Sequence, residues 1–232
     1  SDLTPVPRIV FAGAPSDVFP RPWSVVSWVP GEPPGELDAR QQGNLARTLG
    51  VFLCELHAVD TAAAPAAGWE NWGYRCGDPV SETMDRWLDQ TADSLADRFD
   101  PAAVREAWRR LRDVPAASQG PCWVHTDVSA ENILMNRYGS LTGVIDWGCV
   151  GVGDPSVDLL YAWSLFDAPA RQVLREAAGA DEATWLRARA WAFVGPGLMT
   201  IDSYRETHPE RTSRLTGQVE AVAAEVGVSL RG

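Results

Sequence analysis

The chain of 232 residues contains no lysine, and all 20 of its cationic side chains are arginine. No lysine ammonium is therefore at hand in this polypeptide to grip phosphate groups. Histidine is scarce, at three residues. That leaves few imidazole nitrogens from which to build a transition-metal centre. The four cysteines, Cys54, Cys76, Cys122 and Cys149, form no C-x-x-C pair and fit no zinc spacing. Cys54 and Cys122 lie in apolar runs, where a thiol behaves as a small core residue. Reduced thiols and a cytoplasmic location are the expectation. There is no signal-peptide pattern and no uninterrupted apolar span long enough for a membrane helix. Positive charge is in deficit, with 31 acidic residues and a net charge of −11. Such a surface repels nucleic acid and anionic membranes and suits a cationic small substrate. Internal repeats are lacking, and low complexity is confined to the Ala-rich Thr61–Ala67.

What is present is the composition of an ordinary globule, 45% hydrophobic and 22% charged. This length can bury a sizeable core. Residues 1–22 are rich in proline and glycine around the short apolar run Ile9-Val10-Phe11. The β-branched and aromatic run Trp23–Val29 predicts a strand buried on both faces. Pro30–Gly35 ends it as a stiff linker. From Asp38 to Val59 the apolar positions Leu45, Leu49, Phe52, Leu53 and Leu56 follow the spacing of a helix stripe. Ser81 reads as the N-cap of a helix bearing Met84, Trp87, Leu88, Thr91 and Leu95. Asp100-Pro101 opens another, bearing Val104, Ala107, Trp108 and Leu111.

Three short strands are predicted next, over Cys122–His125, Asn132–Asn136 and Leu141–Asp146. Arg137–Ser140 turns between the last two. The remainder reads as helix: Val157–Phe166, Arg171–Ala178, Asp181–Phe193, a stretch near Leu198–Arg205, and Arg211–Val226. Trp163, Trp185 and Trp191 fall at helical core positions.

The central segment carries the chemistry. It runs Trp123-Val124-His125-Thr126-Asp127-Val128-Ser129-Ala130-Glu131-Asn132, then Val144-Ile145-Asp146-Trp147-Gly148. An Asp, an Asn and a second Asp on loops between short strands is the layout of a phosphoryl-transfer centre. Asp127 is the candidate carboxylate for orienting a hydroxyl nucleophile. The side-chain oxygens of Asn132 and Asp146 suit magnesium, a hard cation that takes oxygen ligands. His125 reads as a buried ring that shapes the loop, since Asp127 already covers the proton chemistry. Asp154 reads as a helix cap, and Asp158 as a carboxylate able to reach back and brace the loop. Gly148, Gly151 and Gly153 lack dinucleotide-fingerprint spacing and read as bends. His57 and His208 read as core or surface residues.

These residues resemble the aminoglycoside phosphotransferase family, which shares the protein-kinase-like fold. Trp23–Glu32 resembles the last small-lobe strand and the hinge. Leu53–Val59, with its Leu-His pair, resembles the first large-lobe helix. His125–Asn132 is similar to the catalytic loop and Ile145–Gly148 to the metal motif. Gly153-Asp154-Pro155 with Asp158-Leu159, and Ile201–Pro209 with the last helix, resemble later elements of the family. The resemblance implies an α+β fold: a mainly helical C-terminal lobe over residues 31–232, with a small central β-hairpin. Residues 1–30 would be a remnant of the N-terminal lobe's sheet and the hinge strand. It implies Asp127 as catalytic base and Asn132 and Asp146 as magnesium ligands. The backbone of Trp28 and Val29 would bind the base of ATP or GTP, an edge strand having peptide groups to offer. The chain departs from the family at Thr126, where glycine is usual, and no glycine-rich phosphate loop or basic clamp precedes Trp23. Little or no kinase activity is therefore expected of these 232 residues alone.

The function expected is transfer of a γ-phosphoryl group to the hydroxyl of a small molecule, for instance an aminoglycoside-like antibiotic. Asp202 and Glu206 could meet ammonium groups of such a substrate. Neither nucleic acid nor membrane is an expected partner. One alternative is a non-catalytic ligand-binding relative that has lost the nucleotide clamp. Another is a metal-dependent hydrolase using His125, Asp127 and Asp146.

Overall fold

In a computed structural model of the protein, the described residues are 6–64 and 82–231. Ser81 and Cys76 lie outside them. Strands β1 (Ile9–Gly13) and β2 (Trp23–Val26) form an antiparallel pair in which Phe11 faces Val25 and Gly13 faces Trp23. The strand expected over Trp23–Val29 stops at Val26, and its residues are exposed rather than buried on both faces. The reason is the lack of cover. Among the described residues no third strand joins this sheet and no helix packs extensively on it, so its apolar side chains have little to bury against.

Beyond β2 the chain changes partner. Val29 is buried, and Glu32 exchanges backbone hydrogen bonds with Met135 at 3.1 and 2.9 Å. Gly31 has φ +139°, and a Cβ there would stand 2.2 Å from the Thr142 hydroxyl. Only glycine lets the segment cross the hairpin this closely.

Helix α1 (Ala39–His57) starts at a full capping box, in which Asp38 accepts from the Gln41 amide and Gln41 accepts from the Asp38 amide. A cap of this kind contributes about 1 kcal/mol. Its apolar stripe, Leu45, Leu49, Phe52 and Leu53, is buried. Gly50 lets it approach α5 (Ala168–Ala177), since a Cβ there would lie 2.6 Å from that of Ala177. Helix α2 (Glu82–Ser94) follows, and α3 (Pro101–Leu111) begins at the Asp100 cap. Met84, Leu88 and Leu95 meet Val104, Ala107 and Leu111 in the core.

Strand β3 (Cys122–Val124) leads to the hairpin of β4 (Ile133–Met135) and β5 (Leu141–Val144). The hairpin lies along α1, where Thr48 Oγ1 accepts from the Leu141 amide and Asn44 donates to the Tyr138 carbonyl. A fourth central strand, β6 (Gly151–Gly153), pairs with β3. Gly151 and Gly153 are thus strand residues rather than bends. Gly-Val-Gly has little intrinsic strand preference, but pairing satisfies the buried backbone groups of β3. The helix expected over Val157–Phe166 is instead a 3₁₀ turn at Pro155–Asp158, a connecting turn, and the short α4 (Ala162–Leu165).

Helix α6 (Glu182–Phe193) ends at Phe193, as its pattern predicts, and the chain continues through a π turn at Val194–Met199 into α7 (Thr200–Tyr204). The wider turn accommodates Pro196, which can neither donate an amide hydrogen nor fit a tight helical turn. Helix α8 (Pro209–Glu225) closes the core against α4, α6 and α7.

Candidate active site

The loop from β3 to β4 and the turn after β5 each hold one unusual backbone position. Among the described non-glycine residues only Thr126 (φ 73°) and Asp146 (φ 61°) are left-handed. For a β-branched residue this costs on the order of 1–3 kcal/mol and must be held by its surroundings. Asp158 holds it. That carboxylate, 2% exposed, accepts from the Thr126 amide at 2.7 Å and the His125 amide at 3.1 Å. The Thr126 hydroxyl donates to the Cys149 carbonyl at 3.0 Å, tying the loop to the turn after β5. His57, at the end of α1, places Nε2 3.0 Å from the same Asp158 carboxylate.

His125 is fully buried. Its Nε2 donates to the Ile145 carbonyl at 2.9 Å, and Nδ1 accepts from the Asp127 amide at 3.3 Å. Both nitrogens are engaged with backbone, in the neutral tautomer those partners require. Its ring meets Trp147 edge to face at 4.8 Å.

Asp127 is half-buried. Its Oδ1 accepts from the Tyr161 hydroxyl at 2.8 Å and its Oδ2 from the Asn132 amide at 3.0 Å. The same Asn132 Nδ2 donates to the Asp127 carbonyl at 2.9 Å. Both neighbours are acceptors, so the NH₂ group faces them and Oδ1 points elsewhere. Asp146 is exposed at the turn after β5, and its side chain makes no cap bond to the 3₁₀ turn Trp147–Cys149 that it precedes. Among the described residues no group of three or more His, Cys, Asp or Glu is placed to hold a metal ion. An amide oxygen and one carboxylate do suit magnesium, which usually takes its remaining ligands from phosphates and water.

Asp154 caps the 3₁₀ turn through the Ser156 amide at 2.9 Å. It also grips Arg187 of α6 with both oxygens, at 2.5 and 2.9 Å. This buried pair anchors the segment carrying Asp158 to the helical body. Trp28 is 89% exposed, and the peptide groups of Trp28 and Val29 make no backbone hydrogen bond among the described residues. Asp202 and Glu206 are not brought to Asp127. Asp202 accepts from Ser94 at 2.5 Å, and Glu206 lines an open depression with Asp93, Asp97 and Arg205.

A cavity of about 300 Å³ adjoins the loop and is walled by Thr126, Tyr161, Trp87, Trp191 and Met199, among others. The local sequence pattern does not mark Tyr161 or Arg187 as parts of the site. For His57 a signal existed, since a histidine in a helix's last turn faces the negative end of the dipole.

Two expected results arise here. Asp158→Asn replaces one acceptor oxygen by a donor facing a buried amide, so unfolding free energy should drop by about 1–3 kcal/mol. Chemical denaturation read by tryptophan fluorescence measures it. Cys122 is pushed up to about 12 from its ordinary 9.0, by burial first and then by the carboxylates of Asp158 and Asp154. Cys54, expected in the core from its apolar run, is exposed on α1, and since the thiolate is the nucleophile, iodoacetamide at pH 8 should modify it well before Cys122, as peptide mass mapping would show. The unfolded thiol ionises near 9.0 and the folded one near 12, so this group's contribution to stability is full below the first value and lost as pH rises towards the second.

Small paired sheets set in a helical body, with this loop-and-turn constellation between them, make up a protein-kinase-like fold. The chain belongs to the phosphotransferase enzyme family APH, whose model matches residues 1–191. It is 30% identical over 128 residues to the uncharacterized protein YcbJ of Bacillus subtilis (strain 168), a match covering 53% of this chain and 39% of that protein. The chain thus spans about two-fifths of that relative's length. The streptomycin–ATP–APH(2″)-IIa ternary complex matches with a TM-score of 0.57 at 18% identity, over 94% of this chain and 76% of that one. The macrolide 2′-phosphotransferase MphH from Brachybacterium faecium, as apoenzyme, matches at 0.56 and 19%, over 94% and 73%. These structural likenesses show the fold.

Proposed function

We propose that the protein transfers the γ-phosphoryl group of a nucleoside triphosphate, ATP or GTP, to the hydroxyl of a small molecule. The observation that carries this reading is the pairing of Asp127 with Asn132, on a loop held by Asp158. It orients one carboxylate towards a nucleophile and leaves the amide oxygen of Asn132 for a cation. Asp127 accepts the proton of the acceptor hydroxyl, whose oxygen bonds to the γ-phosphorus. The bond from that phosphorus to the β–γ bridging oxygen breaks, and a nucleoside diphosphate leaves. Positioning and charge neutralisation supply most of the rate in such reactions. Asn132 and Asp146 would hold magnesium, which when bound neutralises phosphate charge.

Residues 1–30 would act as the small-lobe strand and hinge, with the peptide groups of Trp28 and Val29 towards the nucleotide base, and residues 31–232 as the large lobe. His125, Asp154 and Asp158 act by shaping the loop. Nucleic acid and membrane are not partners in this reading. No helix among the described residues is long and apolar enough to cross a membrane. A cytoplasmic location, where nucleoside triphosphates are abundant, accords with it.

The test is calorimetric titration of ATP and GTP, with and without magnesium, on this chain and on any longer form encoded with it. Magnesium-dependent binding that is weakened at least tenfold by Asp146→Ala is the expected result. Magnesium-independent binding, or none in either form, would move the assignment to a ligand-binding relative without phosphoryl transfer.

A further inference from the structure

The cavity beside Asp127 has a chemistry unlike the surface around it. Its described lining is aromatic and aliphatic, and besides the indoles of Trp87 and Trp191 its polar side chains are the hydroxyls of Thr126, Tyr161, Thr200, Ser203 and Tyr204. Among the described residues no Asp, Glu, Arg or His lines it. In a chain of net charge −11 this sets the described walls apart from the surface around them. The acidic residues of α7 and its C-terminal turn are not among the described lining: Asp202 accepts from Ser94, and Glu206 lines the depression beside Arg205. An ammonium group lodged among these walls, away from Asp127, would lose water without gaining a carboxylate. Its volume of about 300 Å³ is at the small end for ligand sites. Tyr161 connects it to the chemistry, forming part of the wall while its hydroxyl donates to Asp127 Oδ1 at 2.8 Å.

Resting on the phosphotransferase reading, we propose that the acceptor is a compact, uncharged alcohol. Its apolar or aromatic body fills this cavity, and its hydroxyl replaces the Tyr161 phenol on Asp127. The Tyr161 bond then marks the position of the nucleophile. An aromatic wall can also attract a quaternary ammonium group through the ring faces. The decisive comparison is therefore between isosteres that differ only in charge.

Ligand-observed NMR titrations without nucleotide would use 3,3-dimethylbutan-1-ol and 2-phenylethanol against choline and streptomycin. The neutral alcohols should bind at least tenfold tighter than choline. Ser203→Glu changes an exposed side chain at the wall, so folding is retained. It should weaken the neutral probes several-fold and narrow or reverse the preference. Choline or streptomycin binding as tightly as the neutral alcohols overturns the proposal, as does neutral binding indifferent to both Ser203→Glu and Trp87→Ala. Phosphoryl transfer followed by ³¹P NMR separates the two readings. Transfer to streptomycin but not to neutral alcohols overturns this inference alone. Loss of both transfer and magnesium-dependent nucleotide binding overturns the phosphotransferase reading beneath it.

Discussion

In a form of the protein that turns over, Asp127→Asn is expected to lower the turnover number for phosphoryl transfer by about 10²–10⁴-fold, the usual contribution of a positioned general base. The substitution keeps the shape of the side chain and removes its charge and basicity. The fold should tolerate it. Asp127 is only half-buried, and its loop is held by bonds that the change does not touch: the two backbone amides on Asp158 and the His125 bond to Ile145. The Tyr161 hydroxyl can rotate to accept from the new amide, while Asn132 retains the Asp127 carbonyl as a partner. The nucleotide KM should therefore stay within about threefold, because an interaction made chiefly in the transition state lowers kcat and not ground-state binding. Steady-state release of the nucleoside diphosphate, with a thermal melt as control for folding, reads both quantities. A variant that turns over at the parental rate with an intact melt would remove Asp127 from the base role and leave it as a loop residue.

The parts of this molecule that could be read from its sequence are those whose physics is local. The α1 start is an example: an aspartate followed three residues later by a glutamine satisfies two orphan amides by itself, and Asp38 and Gln41 do so. The spacing of Asp127 and Asn132 is equally local, since five residues around one tight loop bring the side chains into contact. The pairs that escaped reading are distant. Tyr161 reaches Asp127 from 34 residues away, and His57 reaches Asp158 from 101. Nothing in the local pattern of either residue records its partner. Strand β2 failed for a different reason. Its residues are as apolar as a buried strand requires, but burial depends on what covers the sheet, and residues 23–26 cannot encode that. The π turn at Pro196 shows the limit of breaker rules, for a widened turn let the helix pass a proline that usually ends one.

Arg187→Leu should cost about 3–5 kcal/mol of unfolding free energy, the largest stability effect expected here. The arginine is 1% exposed, on the core face of α6, and it spends two nitrogens on Asp154. Its sequence context, Arg187 and Arg189 alternating with alanines, gave no sign that one of the two points inward. The cost arises from what is left behind rather than from the bond itself. Without the guanidinium, the Asp154 carboxylate stays buried with the Ser156 amide as its remaining hydrogen-bond donor among the described residues, and a buried unpaired charge is severely penalised. The pair as a whole contributes far less than either half costs to remove. Adding Asp154→Asn to Arg187→Leu should therefore recover more than half of the loss, since asparagine keeps the cap on the 3₁₀ turn and carries no charge. For a domain of ordinary stability, about 5–15 kcal/mol, the single change takes a large share of the total. Urea denaturation of the two single variants and the double variant measures the cycle. Additive losses in the double variant would show that Asp154 and Arg187 act independently. Recovery would show that the Asp154–Arg187 contact stabilises the segment bearing Asp158 chiefly by charge neutralisation.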